Sequence, residues 1–299
     1  MISILIPVFN WNIQKLVAEI SQQCSSLSIE FEILALDDCS TDDSIKRANR
    51  DIHLKNFQMI ELNKNVGNAE ARNELARAAK YDWLLFLDAD MLPVESTFIS
   101  KYIDLIVEAD CDVISGGIVY QGHVSKEYRL KWLHGKKTEE HQITKDPYLE
   151  IRGNNFLIRK QLYRNILFGG LPEKYGYVDT QFGLKLKLCG AKVKIIDNPC
   201  LHLGLETNQR FVEKYKTSLR NAFWMMNNQP ELAENLRIIK AYHKIERLGM
   251  RFLVSNFYQL FEKRIMTILY SGQSSLFIFQ LFKLGYFCSL VETKHDQQD

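Results

Sequence analysis

The feature that most constrains the fold is the stretch from Asp82 to Asp90, where an uninterrupted apolar run ends in two carboxylates. A continuous apolar run of this length, following a helix-like segment, predicts a strand buried on both faces of a parallel sheet. Because open parallel sheets bind ligands at the carboxyl ends of their strands, Asp88 and Asp90 should emerge at a ligand site. Two solvated aspartates at a strand end remain the alternative, since a short D-x-D pattern also arises by chance.

The spacing of these two carboxylates also points to a cation. Negative side chains so close together repel each other unless a cation lies between or beside them. Oxygen ligands suit hard divalent ions, so the sequence predicts Mg²⁺ or Mn²⁺, which often arrives together with substrate phosphates.

Strand-like and helix-like segments alternate through the first part of the chain. Strands are predicted at 2–10, 31–36, 57–62, 83–87 and 112–119, with helical segments between them. Ser40 or Thr41 is expected to cap the helix that begins near Asp42. Four β-α units in a row predict an α/β fold with a doubly wound, mostly parallel sheet of the Rossmann type.

The regular alternation weakens beyond residue 121, where a polar and basic segment predicts a loop-rich insertion over 121–178. We expect a strand within it at 154–158, then a helix over 179–188 and a last strand at 192–196. One domain would therefore span 1–204. Residues 205–299 show amphipathic helical patterns and predict a helical C-terminal extension.

The final helical segment, Leu276 to Val291, is rich in Phe, Leu and Ile. Three interpretations stay open for it: packing against the main domain, packing against a second copy in a homo-oligomer, or a peripheral membrane contact that charges such as Lys283 would interrupt.

The composition is that of an ordinary globular protein, with 299 residues, 46% hydrophobic and 25% charged. The formal net charge of +2 gives no reason to expect a nucleic-acid binder. Six scattered cysteines without a C-x-x-C pair indicate reduced thiols rather than a disulfide framework. The N-terminal run lacks the basic segment of a signal peptide, and no apolar stretch reaches the length of about 18 residues that spans a membrane. We therefore expect a cytoplasmic protein, with contact to the inner face of a membrane left open.

Polar motifs follow each of the predicted strands. They are Pro7-Val8-Phe9-Asn10, Asp37-Asp38-Cys39-Ser40, Asn65-Val66-Gly67 with Arg72-Asn73, and Asp88-Ala89-Asp90. In this order they resemble the inverting family 2 glycosyltransferases of the GT-A fold, specifically over residues 1–120 and more loosely to residue 205. The resemblance implies transfer of a sugar from a nucleotide-sugar donor, with a UDP-sugar expected, to a saccharide or glycolipid hydroxyl in polysaccharide or glycan synthesis.

The resemblance assigns donor-binding roles to most of these residues. A uracil ring needs an acceptor for its imide N–H and a flat slot beside it. Asp38, with its neighbour Asp37, would accept from the imide, and Pro7, Val8 and Phe9 would shape the slot. A helix cap is the alternative role for either aspartate.

Gly67 would allow close backbone approach to the donor, and Arg72 would reach a base carbonyl or a diphosphate oxygen. A surface ion pair with Glu70 or Glu74 is the alternative for Arg72. Asp88, beside Ala89, would hold the ribose hydroxyls or a metal-bound water.

The same resemblance implies a metal ligand in Asp90, whose Mn²⁺ or Mg²⁺ would bridge the two phosphates and neutralise charge on the departing diphosphate. His202, after the last strand, would add a metal ligand or a diphosphate contact, although a lone histidine is more often structural. Gly153, Asn154 and Asn155 would line the donor sugar or the acceptor.

Inversion also needs a base to take the proton of the acceptor hydroxyl. In the family this is the Asp of an E-D pair that opens a helix after a Gly-rich turn. Here the pair reads Val178-Asp179, so Asp179 would be the base, while the loss of the Glu puts an acceptor contact in doubt. A plain helix N-cap is the alternative for Asp179.

Two other functions remain open. A sugar-nucleotide nucleotidylyltransferase shares the α/β sheet but requires a Gly-rich loop after the first strand, and Asn10-Trp11-Asn12-Ile13 contains no glycine. A catalytically inactive homologue acting as a nucleotide-binding partner subunit is compatible with Val178, although Asp88, Asp90 and Asp179 argue against it.

Overall fold

The computed structural model describes residues 1–108, 110–140, 146–273 and 275–295. It divides into two compact units. Unit 1 comprises Met1–Gln121, Glu139–Gly169 and Asp179–Gly204, and unit 2 comprises Gly122–Thr138, Gly170–Val178 and Leu205–Asp299. The predicted boundary after residue 204 coincides with the end of unit 1, whereas the segments 122–138 and 170–178 belong to unit 2.

Strands in the described residues belong to unit 1. They are β1 (Ile2–Val8), β2 (Phe31–Asp37), β3 (Phe57–Glu61), β4 (Trp83–Leu87), β5 (Met91–Pro93), β6 (Val113–Ser115), β7 (Ile118–Val119), β8 (Asn155–Arg159), β9 (Val193–Ile195) and β10 (Cys200–His202).

Helices occur in both units. They are α1 (Gln14–Ser26), α2 (Asp43–Arg50), α3 (Asn68–Ala78), α4 (Phe98–Glu108), α5 (Arg129–Thr138), α6 (Lys160–Ile166), α7 (Val178–Leu188), α8 (Asn208–Asn228), α9 (Pro230–Ala233), α10 (Arg237–Arg247), α11 (Arg251–Tyr270) and α12 (Leu276–His295).

The described strands form a seven-stranded sheet in the order β3-β2-β1-β4-β8-β6-β9. The first four are mutually parallel, β8 runs antiparallel to both β4 and β6, and β9 is parallel to β6. The predicted α/β fold with a mostly parallel sheet and C-terminal helices is confirmed.

The centre of the sheet is built from the apolar runs that predicted it. Every residue of β1 and of β4 is buried, as expected for strands covered on both faces. Phe86 of β4 stacks on Phe156 of β8 with ring centroids 4.9 Å apart, and on Tyr163 of α6 at the same distance. Burying each such ring contributes roughly 1.5–3 kcal/mol, which holds the strand ends in register.

The strand predicted over 112–119 is two strands in different sheets. Gly117 adopts a φ of 77°, a left-handed conformation that turns the chain between β6 and β7. The turn allows β7 to join a second sheet, in the order β5-β10-β7, which the sequence did not predict. In that sheet His202 pairs with Met91, directly after the two predicted carboxylates.

The interval 121–178 holds more regular structure than the predicted loop-rich insertion. It contains α5, α6, the short 3-10 turns Lys126–Tyr128 and Pro147–Glu150, and β8 in the middle of the main sheet. Its polar composition reflects helices with exposed faces rather than loops. His141, which belongs to the predicted basic segment, lies outside the described residues.

Unit 2 has its own apolar core, formed by α5 and the helices from α8 onward. In α12 the side chains of Phe279, Phe282 and Phe287 are fully buried in this core. Gly285 lets α12 approach α11, because a Cβ added there would overlap the Tyr258 side chain. Among the described helices, none combines the length and the apolar character needed to cross a bilayer.

Candidate functional site

Asp38 joins the end of β2 to the turn that precedes α3. Its Oδ1 accepts from the backbone N–H of Val66 at 2.6 Å, and its Oδ2 accepts from that of Gly67 at 2.8 Å. Gly67 has a φ of 88°, so both amides point at the one carboxylate. Asp38 is buried, and each of its carboxylate oxygens accepts one hydrogen bond from this turn.

The helix that follows is capped by a different residue from those predicted. Asp42 accepts from the backbone N–H groups of Ser44 and Ile45 and is the N-cap of α2, in place of Ser40 or Thr41. Its longer side chain reaches both amides, and its charge suits the helix dipole. Asp37 instead accepts from the backbone N–H of Ser40 at 2.7 Å.

The loops after β1 and β2 are held together by Asn10, which the sequence analysis did not single out. Its Oδ1 accepts from the backbone N–H groups of Thr41 and Asp42, and its own N–H donates to Ser40 Oγ. Pro7 and Val8 are buried, while Phe9 is 46% exposed. Of the three predicted slot residues, Phe9 therefore has the ring available for a ligand.

Arg72 is buried between two carboxylates rather than lying on the surface of α3. Its Nη2 donates to Asp88 Oδ1 at 2.8 Å, and its Nη1 lies 3.5 Å from Asp179 Oδ1. Glu70 and Glu74, the alternative partners, are paired with Arg77 instead. Arg72 thus links a residue at the end of β4 to one in the first turn of α7.

Two neighbours hold the guanidinium in place. The group lies over the ring of Phe168, 5.0 Å from its centroid. Gly153 provides the space on another side, because a Cβ added there would overlap the guanidinium. Gly153 therefore acts by making room for Arg72, a role that no sequence pattern could have indicated because the two residues are 81 positions apart.

The Asp88 carboxyl has an unusual electrostatic environment. Burial raises its pKa above the ordinary value, and the Asp90 and Asp179 carboxylates act in the same direction, while Arg72 opposes them. Burial by itself would lower the pKa of Arg72, but Asp88 and Asp179 outweigh it and keep that pKa raised. The guanidinium is therefore charged, and it compensates a site with three converging acids.

Asp90 and His202 form the second polar pair of the site. Asp90 Oδ2 lies 3.3 Å from His202 Nε2, brought there by the pairing of β5 with β10. Gly204 makes room for the carboxylate, since a Cβ there would overlap Asp90 Oδ2. Nδ1 of His202 is buried and has no hydrogen-bond partner among the described residues.

Asn155 is a structural residue of the sheet, which corrects the predicted sugar contact. Its side chain is fully buried, donates to Gly117 O and Asn198 O, and accepts from the hydroxyl of Tyr102. With these three bonds its amide has nothing left for a ligand. The neighbouring Asn154 is half-buried, and its Oδ1 lacks a partner among the described residues.

Asp179 lies in the first turn of α7, and its side chain is 38% exposed. Its contact with Arg72 is an oriented ion pair rather than a cap. A carboxylate in the first turn of a helix interacts favourably with the helix dipole. Together, Asp88, Asp90, Asp179 and His202 collect at one edge of unit 1, with Arg72 between two of them.

The sequence is similar to that of a known protein family and to curated proteins. The sequence model of the family described as Glycosyl transferase family 2 matches residues 3–167, more than half of the chain. Among curated proteins, an uncharacterized glycosyltransferase of Haemophilus influenzae is 30% identical over 131 residues, which cover 40% of this chain and 42% of the relative. Chondroitin synthase of Pasteurella multocida is 22% identical over 239 residues, covering 66% of this chain and 24% of the relative. The chain thus spans less than half the length of each of these relatives.

Solved structures share the fold. Staphylococcus aureus TarS 1-349 in complex with UDP-GlcNAc superposes with a TM-score of 0.52 at 15% identity, covering 98% of this chain and 92% of TarS. The mannosyltransferase PcManGT from Pyrobaculum calidifontis, in complex with GDP-Man and Mn²⁺, gives 0.54 at 13% identity, covering 99% and 87%. With its motifs at the strand ends, its sheet order and these matches, the chain belongs to glycosyl transferase family 2 and has the GT-A fold.

Proposed function

We propose that the chain transfers a sugar from a nucleotide-sugar donor to a saccharide or glycolipid hydroxyl with inversion, and that the donor is a UDP-sugar. The observation that carries the proposal is the network in which Arg72 lies between Asp88 and Asp179. It connects a candidate donor contact at the end of β4 to a candidate base at the start of α7.

At the donor end, the nucleobase of the donor would lie beside the loops after β1 and β2. The exposed ring of Phe9 offers a flat apolar surface for it. Asp38 supports this pocket through the Val66 and Gly67 amides, and its oxygens retain lone pairs toward the imide N–H. UDP-GlcNAc and GDP-Man in the similar structures belong to those proteins, and they make the nucleotide the first variable to test.

At the acceptor end, Asp179 would take the proton of the attacking hydroxyl. The hydroxyl oxygen then bonds to the anomeric carbon while the bond to the diphosphate breaks and its electron pair leaves with the diphosphate. Arg72 would position the Asp179 carboxylate, since its Nη1 lies 3.5 Å from Asp179 Oδ1.

The residues at Asp90 fit a divalent ion. The carboxylate oxygen and the imidazole nitrogen are 3.3 Å apart, and Gly204 makes room for this oxygen. The described residues contain no cluster of three His, Cys, Asp or Glu side chains able to hold a metal, so Asp90 and His202 would hold Mn²⁺ or Mg²⁺ together with donor phosphate oxygens. When bound, the ion would neutralise charge on the leaving diphosphate.

The first test is calorimetric titration with UDP, with GDP as the comparison nucleotide, in the presence and absence of Mn²⁺. We expect metal-dependent binding of UDP that Asp90→Asn abolishes. Asp104→Asn is the matched control, because Asp104 is an exposed aspartate on α4. Absence of binding for both nucleotides in every metal condition would contradict the proposal.

The second test separates catalysis from binding. Asp179→Asn keeps the shape of the side chain and removes the base, so transfer from the UDP-sugar identified by donor hydrolysis should fall by about 10²–10⁴-fold while UDP binding is retained. Wild-type binding of UDP without any turnover would instead identify a nucleotide-binding partner subunit, the alternative that Val178 allows.

A further inference from the structure

Helix α11 presents apolar side chains on the face opposite its packed side. Leu253, Phe257 and Leu260 follow one another at i, i+4 and i+7, so they lie on one face of the helix. They are 66%, 52% and 78% exposed, respectively. The packed side carries the buried Tyr258 and Ile265. Helix α11 therefore has two apolar faces. The face with Tyr258 and Ile265 is covered by other described residues, and the face with Leu253, Phe257 and Leu260 is exposed.

Further exposed apolar side chains lie in the first turn of α11 and in the turn before it. Phe252 of α11 is 59% exposed, and Leu248 and Met250 before the helix are 61% and 40% exposed. We call these six residues the apolar patch: Leu248, Met250, Phe252, Leu253, Phe257 and Leu260. Scattered surface hydrophobics are ordinary, but six large exposed apolar side chains within 13 consecutive residues indicate an interaction surface.

Basic side chains border the apolar patch at both ends. Lys244 and Arg247 lie at the end of α10, and Lys263 and Arg264 lie on α11, where Arg264 is at i+11 from Leu253. All four are exposed, and none has an acidic partner among the described residues.

The acidic residues nearby do not offset this charge. Glu246 is 3.7 Å from Arg251, and Glu262 is 4.0 Å from Lys216. The patch is therefore a group of large apolar side chains between two pairs of unopposed cations, and its chemical complement is apolar in the middle and negative at the rim.

We propose that the apolar patch and its basic border dock this chain on the surface of an anionic lipid bilayer, with α11 lying in the plane of the interface. An interfacial helix inserts Phe and Leu at the level of the headgroups while Lys and Arg stay at the phosphates. Each such cation raises the affinity for an anionic surface by roughly fivefold. Docking is independent of the proposed transfer reaction.

A second copy of the chain fits the patch less well. A symmetric dimer uses the same surface on both subunits, so it would bring the four cations of one copy against those of the other. The structure also moves the membrane contact from its predicted place. In α12, Phe279, Phe282 and Phe287 are buried in unit 2 and only Phe277 and Leu281 are exposed among its described large apolar residues, whereas Phe252, Leu253, Phe257 and Leu260 are exposed on α11.

The experiment is flotation of the full chain with vesicles of phosphatidylcholine alone and with vesicles of equal parts phosphatidylcholine and phosphatidylglycerol. We expect binding to the anionic vesicles that added salt weakens. The triple change Leu253→Ser, Phe257→Ser and Leu260→Ser should reduce it at least about tenfold, because it removes the inserted side chains. The pair Lys263→Gln and Arg264→Gln should reduce it by more than about tenfold on anionic vesicles only.

Matched controls place the same chemical changes outside the patch. Val107→Ser and Leu188→Ser alter exposed apolar residues, and Lys15→Gln with Lys55→Gln alters exposed cations; both should leave flotation unchanged. The proposal is overturned if wild type does not float with anionic vesicles or if the triple variant floats equally well. A wild-type dimer by light scattering without lipid, made monomeric by the triple change, would assign the patch to a second copy instead.

Discussion

The charged guanidinium of Arg72 is buried, and the two carboxylates beside it compensate its charge. The side chain is 4% exposed, whereas those of Asp88 and Asp179 are 24% and 38% exposed. Removing one partner of a buried ion pair is costly because the other charge is left without compensation. The same residue therefore contributes to the stability of unit 1 and to the geometry of the site.

We predict that Arg72→Met lowers the free energy of unfolding by about 2–4 kcal/mol, because the half-buried Asp88 loses its counter-ion. Arg77→Met is the control on the same helix. Arg77 is half-exposed and pairs with Glu70 and Glu74, so its loss should cost less than about 1 kcal/mol. Urea unfolding followed by circular dichroism measures both. Equal losses of unfolding free energy for the two variants would show that the ion pairs of Arg72 contribute no more to stability than those of the exposed Arg77.

Gly153→Ala tests the space around the guanidinium. The added methyl group would overlap Arg72, so we predict a loss of stability of about 1–3 kcal/mol from overpacking, with reduced donor hydrolysis. At Gly122, an added Cβ meets nothing within 4 Å, so Gly122→Ala should change neither property. Thermal unfolding and the hydrolysis assay report the two effects, and full activity of Gly153→Ala would mean that Arg72 adapts freely.

At the scale of the element, α12 combines a buried apolar side with one half-buried cation, Lys283. The Lys283 Nζ lies 5.2 Å from the ring centroid of Tyr215 and 5.1 Å from that of Phe279, and no acidic partner occurs among the described residues. Burial, with a smaller contribution from Arg237, lowers its pKa to about 8. The rings compensate the charge only in part, since cation–π contacts are worth less than full hydration.

This lowered pKa makes stability depend on pH in a defined direction. Between pH 8 and 10.5 the unfolded chain holds a proton on Lys283 that the folded chain has released, so unfolding becomes less favourable as the pH rises. We predict that Lys283→Met stabilises the chain by about 1–3 kcal/mol at pH 7, with the difference shrinking toward pH 10. Urea unfolding at several pH values measures this. Lys240→Met, at an exposed position on α10, should show no such trend, and a constant difference for Lys283→Met would refute the assignment.

At the scale of the whole molecule, the exposure of the six cysteines shows which of these positions solvent reaches. All are free thiols. Cys189 is exposed and Cys39 half-buried, whereas Cys24, Cys111, Cys200 and Cys288 are buried. Burial raises the pKa of Cys24 to about 12 and, with Glu292 contributing, that of Cys288 to about 11, so neither supplies a reactive thiolate near neutral pH.

We predict that a thiol-specific disulfide reagent at pH 8 modifies Cys189 rapidly in the native chain and that Cys189→Ser removes the fast phase. The buried thiols should react only in urea. Above pH 9 the unfolded thiols ionise while Cys24 and Cys288 stay neutral, so the contribution of these two thiols to the stability of the native chain should fall as the pH rises further, opposite in sign to that of Lys283. A fast phase that persists in Cys189→Ser would show that the packing around another cysteine is open.

Much of the fold followed from the sequence because its signals are local. The apolar runs of β1, β2 and β4 and the helical spacing between them predicted the mostly parallel sheet. The same runs predicted that Asp88 and Asp90 would emerge at one edge, since parallel strands end on the same side. The split at Gly117 and the small sheet around His202 were not predictable in this way, because strands of two or three residues carry no periodicity.

The sequence by itself determined the long strands and helices of the first 110 residues, the polar residues that follow those strands, and hence the family. Only the tertiary structure decided that Arg72 pairs with Asp179, that Gly153 makes room for Arg72, and that Asn155 is sealed inside the sheet. It also decided that Phe279, Phe282 and Phe287 of α12 are buried while α11 keeps an exposed apolar face. The physical reason is that periodicity shows a helix or strand has an apolar face, whereas the neighbour that covers that face comes from a distant part of the chain.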